Sequence, residues 1–198
     1  MKLLYAPASP YSSKVRMAAH FAGVALEPVL TNTATLPAEL IDNNPLGKIP
    51  TLVTDEGQAV YDSRAIMQFL DRAGGKRIYP RNAAKRTDAE VMEALCDGLC
   101  DCLLVIIYER RYRPEEKVHQ DWIDIQWAKA TRALDHLENN LPRLTKAPNG
   151  GHLALAAATG YLALRFDGQW ERGRPKLKRW SAKFASSFPE LDALRPRA

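Results

Sequence analysis

A change of hydrophobic period near Gly74-Gly75 constrains this chain more than any other feature. Before that point, short apolar runs alternate with amphipathic stretches. "KLLYA" reads as a strand ended by Pro7. Residues 11–22 place Val15, Met17, Ala18, Phe21 and Ala22 on one helical face, and Gly23 ends that helix. "ALEPVL" is a weaker strand whose Pro28 has no N–H to give, so it belongs at a sheet edge or a bulge. "PAELIDNNP" is a short helical turn, and "TLVTDEGQAVYD" is a hairpin around Glu56-Gly57. Asp62 then caps a helix through "SRAIMQFLDRA". After the glycine pair every period is helical. The helices are expected over residues 87–112, 116–141, 152–166 and 174–188, with the apolar "HLALAAATGYLALRF" as the buried central one.

The expected fold class is therefore α/β plus all-α. A small α/β unit spans residues 1–75, a linker residues 76–86, and a helical bundle residues 87–198. An α/β unit that small has a thin core of its own, so it should pack tightly on the helices. Hydrophobic content of 46% and charged content of 26% are ordinary for a soluble globular protein. No apolar run approaches the roughly 18 residues of a membrane span. The N-terminal run reaches Pro7 too soon for a signal peptide, so a cytoplasmic protein is the expectation. The net charge of +5 favours anionic partners, but no run of basic and aromatic residues resembles a nucleic-acid reading module. Neither nucleic acid nor membrane is expected as a partner. Cys96, Cys100 and Cys102 cluster on one helix without a second ligand pair, which points to buried or interface thiols rather than a metal site.

Three stretches carry chemistry. In "SPYSSKVR", Ser9 stands where a strand hands over to a helix, the usual ligand position in an α/β unit. The free N–H groups and partial positive charge of a helix start, with a hydroxyl, suit a bound thiolate. In "NPLGKIPTLV", Ile49-Pro50 precedes a strand, and a cis peptide there would turn the Ile49 backbone outward to pair with an extended ligand. In "YDSRAI", Ser63 opens a helix and can hold a carboxylate, while Asp62 can hold an ammonium. Each stretch also has a plain reading, as an N-cap, a trans turn and an Asp cap.

Together, at these spacings, the three stretches closely resemble the thioredoxin-like domain of cytosolic glutathione transferases. The second half resembles their helical domain, notably in "HLALAAATGYLALRFDGQWERGRPKLKRW". The likeness covers essentially the whole chain and is nearest to small bacterial members with an active-site serine. It implies that glutathione is the co-substrate, with no metal, and that Ser9 donates its hydroxyl to the glutathione sulfur. It implies that Ile49, before a cis Pro50, pairs with the cysteinyl part, that Asp62 and Ser63 hold the γ-glutamyl end, and that Lys48 reaches the glycine carboxylate. It further implies a homodimer, with the long helix from Asp88 at the interface. A small electrophile would bind between the two halves against Tyr11, Tyr108 and Tyr112, where Arg110 and Arg111 would favour acidic or polarised compounds.

Two departures stand out. Many members carry Glu where this chain has Asp62. Many open the buried helix with a Ser/Thr-x-x-Asp capping box, whereas here Asn149 is followed by His152, which should weaken that folding signal. The rival activities are a glutathione-dependent isomerase of maleyl-type substrates, a thiol reductase or peroxidase, and a non-enzymatic adaptor binding protein or RNA. Thiol exchange normally needs a cysteine at position 9, and none occurs before Cys96.

Overall fold

Leu3 and Leu4 are neighbours on the first strand and both are buried, so both faces of that strand are covered. The structure is a computed structural model and describes residues 1–198. Strand β1 (Lys2–Tyr5) pairs in parallel with β2 (Glu27–Leu30) across helix α1 (Pro10–Ala22). It pairs antiparallel with β3 (Thr51–Val53), which pairs antiparallel with β4 (Ala59–Val60). The order β2-β1-β3-β4 puts β2, with its Pro28, at the edge. Helix α2 (Ala38–Asn43) packs on β3, and α3 (Ser63–Ala73) packs on α1. This is the expected α/β unit. Helix α1 ends in Gly23, which takes the left-handed conformation at φ 72° and donates its N–H to Ala19 and His20 carbonyls.

The connection to the helices is more ordered than its Gly, Pro and basic residues suggested. Asp71 is buried and accepts from the N–H groups of Ile78 (2.8 Å) and Tyr79 (3.1 Å). Ile78 and Tyr79 are themselves core residues. Asn82 then caps α4 (Ala83–Tyr112), which starts four residues earlier than the period change indicated. At about 1.5 Å per residue, α4 is about 45 Å long. It stops before Pro114. The second long helix is shorter than expected, because Glu115–Lys117 form a 3-10 turn and the His119 ring accepts the Trp122 N–H to start α5 (Gln120–Asn139). Helix α6 (Gly150–Arg165) is buried from Gly150 through Leu162 and packs on α1 and α4. A Cβ at Gly151 would lie 2.9 Å from the Ala89 carbonyl oxygen, so only glycine permits the α4–α6 approach. Helices α7 (Pro175–Ser187) and α8 (Pro189–Asp192) follow, the last too short to show in the sequence period. The chain then returns to the first unit, where Arg197 N–H meets the Pro7 carbonyl and Ser13 donates to that of Leu194. No helix is long and apolar enough to cross a membrane.

The His152 expectation is corrected. Its Nδ1 accepts the Asn149 N–H at 3.1 Å, while its own N–H donates to Asn149 Oδ1 at 3.2 Å. The capping box is complete, because a neutral imidazole nitrogen accepts as a carboxylate would. Nε2 lies 3.1 Å from the Arg143 carbonyl, and the ring stacks on Trp180.

The two halves are joined by buried charge. Lys14, 1% exposed, holds Glu93 at 2.8 Å and both oxygens of Asp97 at 2.8 Å. Arg64 reaches the same Asp97 at 3.1 Å, and Tyr79 donates to Glu93. Two cations thus face two carboxylates, which removes the net charge that would make burial prohibitive. Burial by itself would push the Lys14 ammonium down, but Asp97 and Glu93 outweigh it and hold its pKa above the ordinary value.

Two outcomes follow from these contacts. Lys14→Met strands two buried carboxylates and should cost about 3–5 kcal/mol in urea denaturation, partly restored by adding Glu93→Gln. His152→Ala should cost about 1–2 kcal/mol near neutral pH. Burial lowers the His152 pKa in the folded state, so its contribution is complete above the ordinary histidine value near 6.5. That contribution is lost as pH falls through the range below it. The gap between wild-type and His152→Ala denaturation midpoints should therefore narrow on acidification.

Candidate functional site

A cleft of about 570 Å³ opens between the two halves. Its floor is the start of α1, the loop before β3 and the start of α3, and its wall is α4 with the end of α6. Ser9, Lys48, Ile49, Pro50, Asp62 and Ser63 all line it, as do Tyr11, Tyr108, Arg111 and Tyr112. The fold thus gathers the named candidates, with one exception. Arg110 does not line the cleft; its guanidinium turns to Gln120, 3.4 Å away.

Ser9 caps α1. Its Oγ accepts the Ser12 N–H at 3.2 Å, and its own proton has no acceptor in the chain. Pro10 has no N–H, and the Tyr11 N–H has no partner within the chain. Ser9 thus presents a free hydroxyl proton, and the helix start beside it a free amide. Tyr11 donates its hydroxyl to Asp101, and burial first, then that neighbourhood, pushes its pKa up, so it stays protonated.

The loop before β3 is held by Asn44, which is 2% exposed. Its amide donates to the Lys48 carbonyl (2.9 Å) and Thr51 Oγ1 (3.1 Å), and its oxygen accepts from Leu46 N–H at 3.0 Å. The Ile49–Pro50 peptide is cis, and Ile49 N–H and C=O make no hydrogen bond within the chain. At the start of α3, Asp62 accepts the Arg64 N–H at 3.0 Å, leaving one carboxylate oxygen free. The Tyr61–Asp62 peptide is also cis. Ser63 is buried, yet neither its N–H nor its hydroxyl is used internally. The floor therefore offers a row of unpaired backbone and side-chain groups along an extended path, suited to a short peptide carrying a free thiol, an ammonium and carboxylates.

The wall differs. Tyr108 and Tyr112 meet edge to face with centroids 5.3 Å apart, and Arg111 lies 5.7 Å from the Tyr108 ring centroid. Arg64, Asp97, Asp101, Tyr161 and Arg165 also line the cleft and were not singled out from sequence. Nothing in the local pattern distinguishes them, although Tyr161 and Arg165 stand one helical turn apart. No cysteine lines the cleft. Cys96 and Cys100 are buried in the core, and burial pushes both thiols up, while Cys102 is half-buried.

Comparison with known proteins bears on the family and the fold. Residues 8–73 match the family described as glutathione S-transferase, N-terminal domain. An uncharacterized GST-like protein of Escherichia coli (strain K12), YibF, is 31% identical over 169 residues, covering 83% of each chain. A solved glutathione S-transferase from Methylobacillus flagellatus KT with glutathione bound superposes with a TM-score of 0.86, at 31% identity over 99% of both chains. A Pseudomonas fluorescens Pf-5 family member with bound glutathione gives 0.86 at 34% identity, over 100% of this chain and 99% of that one. The same relative is also known with S-(propanoic acid)-glutathione bound. With this sequence likeness, a thioredoxin-like first unit and a helical second one, the chain belongs to the glutathione S-transferase family.

Proposed function

We propose that this chain binds glutathione, holds it as the thiolate and transfers it to a small electrophile. The observation that carries the reading is the hydrogen bonding of Ser9. Its oxygen accepts the Ser12 N–H and its own proton has no acceptor in the chain, so the hydroxyl is free to donate to a ligand. A donor beside a helix start favours S⁻ over S–H, as expected for thiols in such surroundings. The Tyr11 N–H would supply a second donor. The sulfur lone pair then attacks an electrophilic carbon, an S–C bond forms, and the displaced group leaves with its electron pair. Where the electrophile is an activated double bond, its carbanion takes a proton instead. Orientation of two bound molecules supplies the remainder of the acceleration.

The other assignments follow the free groups of the floor. Ile49 N–H and C=O would pair with the cysteinyl backbone, Ser63 would hold the γ-glutamyl carboxylate, and the free Asp62 oxygen its ammonium. Lys48, exposed at the rim, would meet the glycine carboxylate. A relative holding an S-substituted glutathione supports a bond-forming role, because such a molecule is the kind of product this reaction leaves. Thiol exchange through an enzyme cysteine has no sulfur in the cleft to run on. A homodimer belongs to the same reading, with exposed Val91 on α4 as part of the contact.

The test is conjugation kinetics with a chromogenic aryl halide, alongside calorimetric binding of glutathione. Ser9→Ala should lower kcat/KM by roughly 10- to 100-fold, the worth of one hydrogen bond to a charged group. Glutathione Kd should rise far less. Equal turnover by wild type and variant would refute the role given to Ser9.

A further inference from the structure

We propose that the helical wall of the cleft is an anion subsite, in which Arg111, Arg165 and the Tyr161 hydroxyl take an aromatic electrophile bearing a carboxylate. This rests on the glutathione-transfer reading for what occupies the floor, but not for its own geometry.

Tyr161 is the key observation. Its side chain lines the cleft, the residue is only 4% exposed, and its hydroxyl has no partner in the chain. The other phenols deep in this region behave differently: Tyr79 donates to Glu93 and Tyr11 to Asp101. Tyr161 is buried but lines the cleft, so its unpaired hydroxyl is available to donate to a ligand there. Burial pushes the Tyr161 pKa up to about 12, so the group remains a donor at neutral pH. Arg111 and Arg165 line the same cleft as Tyr161.

Neither arginine has a carboxylate within ion-pair distance, whereas Arg113 pairs with Glu109 at 2.6 Å and Arg174 with Asp135 at 2.7 Å. Of the carboxylates that line the cleft, Asp97 is held by Lys14 and Arg64, Asp101 accepts from Tyr11, and Asp62, at the start of α3, pairs with neither arginine. Arg111 lies in the last turn of α4, and Arg165 is the last residue of α6. The helix dipole favours a cation at each place. It does not account for two such ends and an unpaired donor meeting on one cleft wall. Guanidinium forks match a carboxylate with paired hydrogen bonds. Tyr108, Tyr112 and Leu104 beside them provide flat apolar surface for an aromatic body.

The experiment is calorimetric titration of the protein holding S-methylglutathione, which cannot react, with a chloronitrobenzoate and with its neutral amide. The wild type should bind the benzoate about tenfold or more tighter than the amide. Arg111→Gln and Arg165→Gln should each cut that preference by at least about threefold, and the double variant should remove it. Tyr161→Phe, which keeps the ring, should cut it by about threefold. Amide binding should change far less in every variant. Equal affinities in the wild type, or a preference that survives the double variant, overturns the subsite. If S-methylglutathione does not bind, the glutathione reading fails instead, and the benzoate preference is measured on the free protein with the same two outcomes.

Discussion

A lysine ammonium buried in the joint between the two halves sets the geometry of everything around it. Lys14 belongs to α1, Glu93 and Asp97 to α4, and Arg64 to the first turn of α3. These three helices carry Ser9, the Tyr108–Tyr112 wall and the Asp62-Ser63 pair respectively. One charge cluster therefore fixes the relative placement of Ser9, the Asp62-Ser63 pair and the Tyr108–Tyr112 wall. An apolar joint of similar area could slide, because hydrophobic contact has no direction. Ammonium and carboxylate at 2.8 Å, shielded from water, have little such freedom.

Within that frame the cleft divides its labour by hydrogen-bonding state. The floor presents groups that the fold leaves unpaired: the Ser9 proton, the Tyr11 amide, the Ile49 backbone and Ser63. The Asn44 side chain, with its contacts to Lys48, Thr51 and Leu46, holds the Ile49 loop from behind. The wall presents aromatic rings and two guanidinium groups without carboxylate partners. Floor and wall come from different halves of the chain, so neither half alone forms the site.

Much of the fold was legible because it is locally encoded. Pro28 marked an edge strand, Asp62 a helix start, and an apolar run the buried α6. Ser9, Ile49 and Ser63 were legible as positions because each lies at an element boundary. Lys14 was not, since a lone lysine on an amphipathic helix reads as solvated. Its partners are 79 and 83 residues away. Ile78 and Tyr79 were hidden in a stretch of linker-like composition, because the carboxylate that pins them, Asp71, belongs to the preceding helix. His152 was misread for a different reason: a box defined by acidic residues obscured that the requirement is only an acceptor. Tyr161 and Arg165 were lost in a helix judged by its overall apolarity.

The central claim is that the sulfur comes with the ligand and that Ser9 stabilises its thiolate. Ultraviolet titration of bound glutathione follows that thiolate directly, in wild type and in Ser9→Ala. The account predicts a bound thiol pKa well below the free cysteine value of about 8.5, moving back toward it when the hydroxyl is removed. A bound pKa that is undepressed, or that is the same in both proteins, would contradict it.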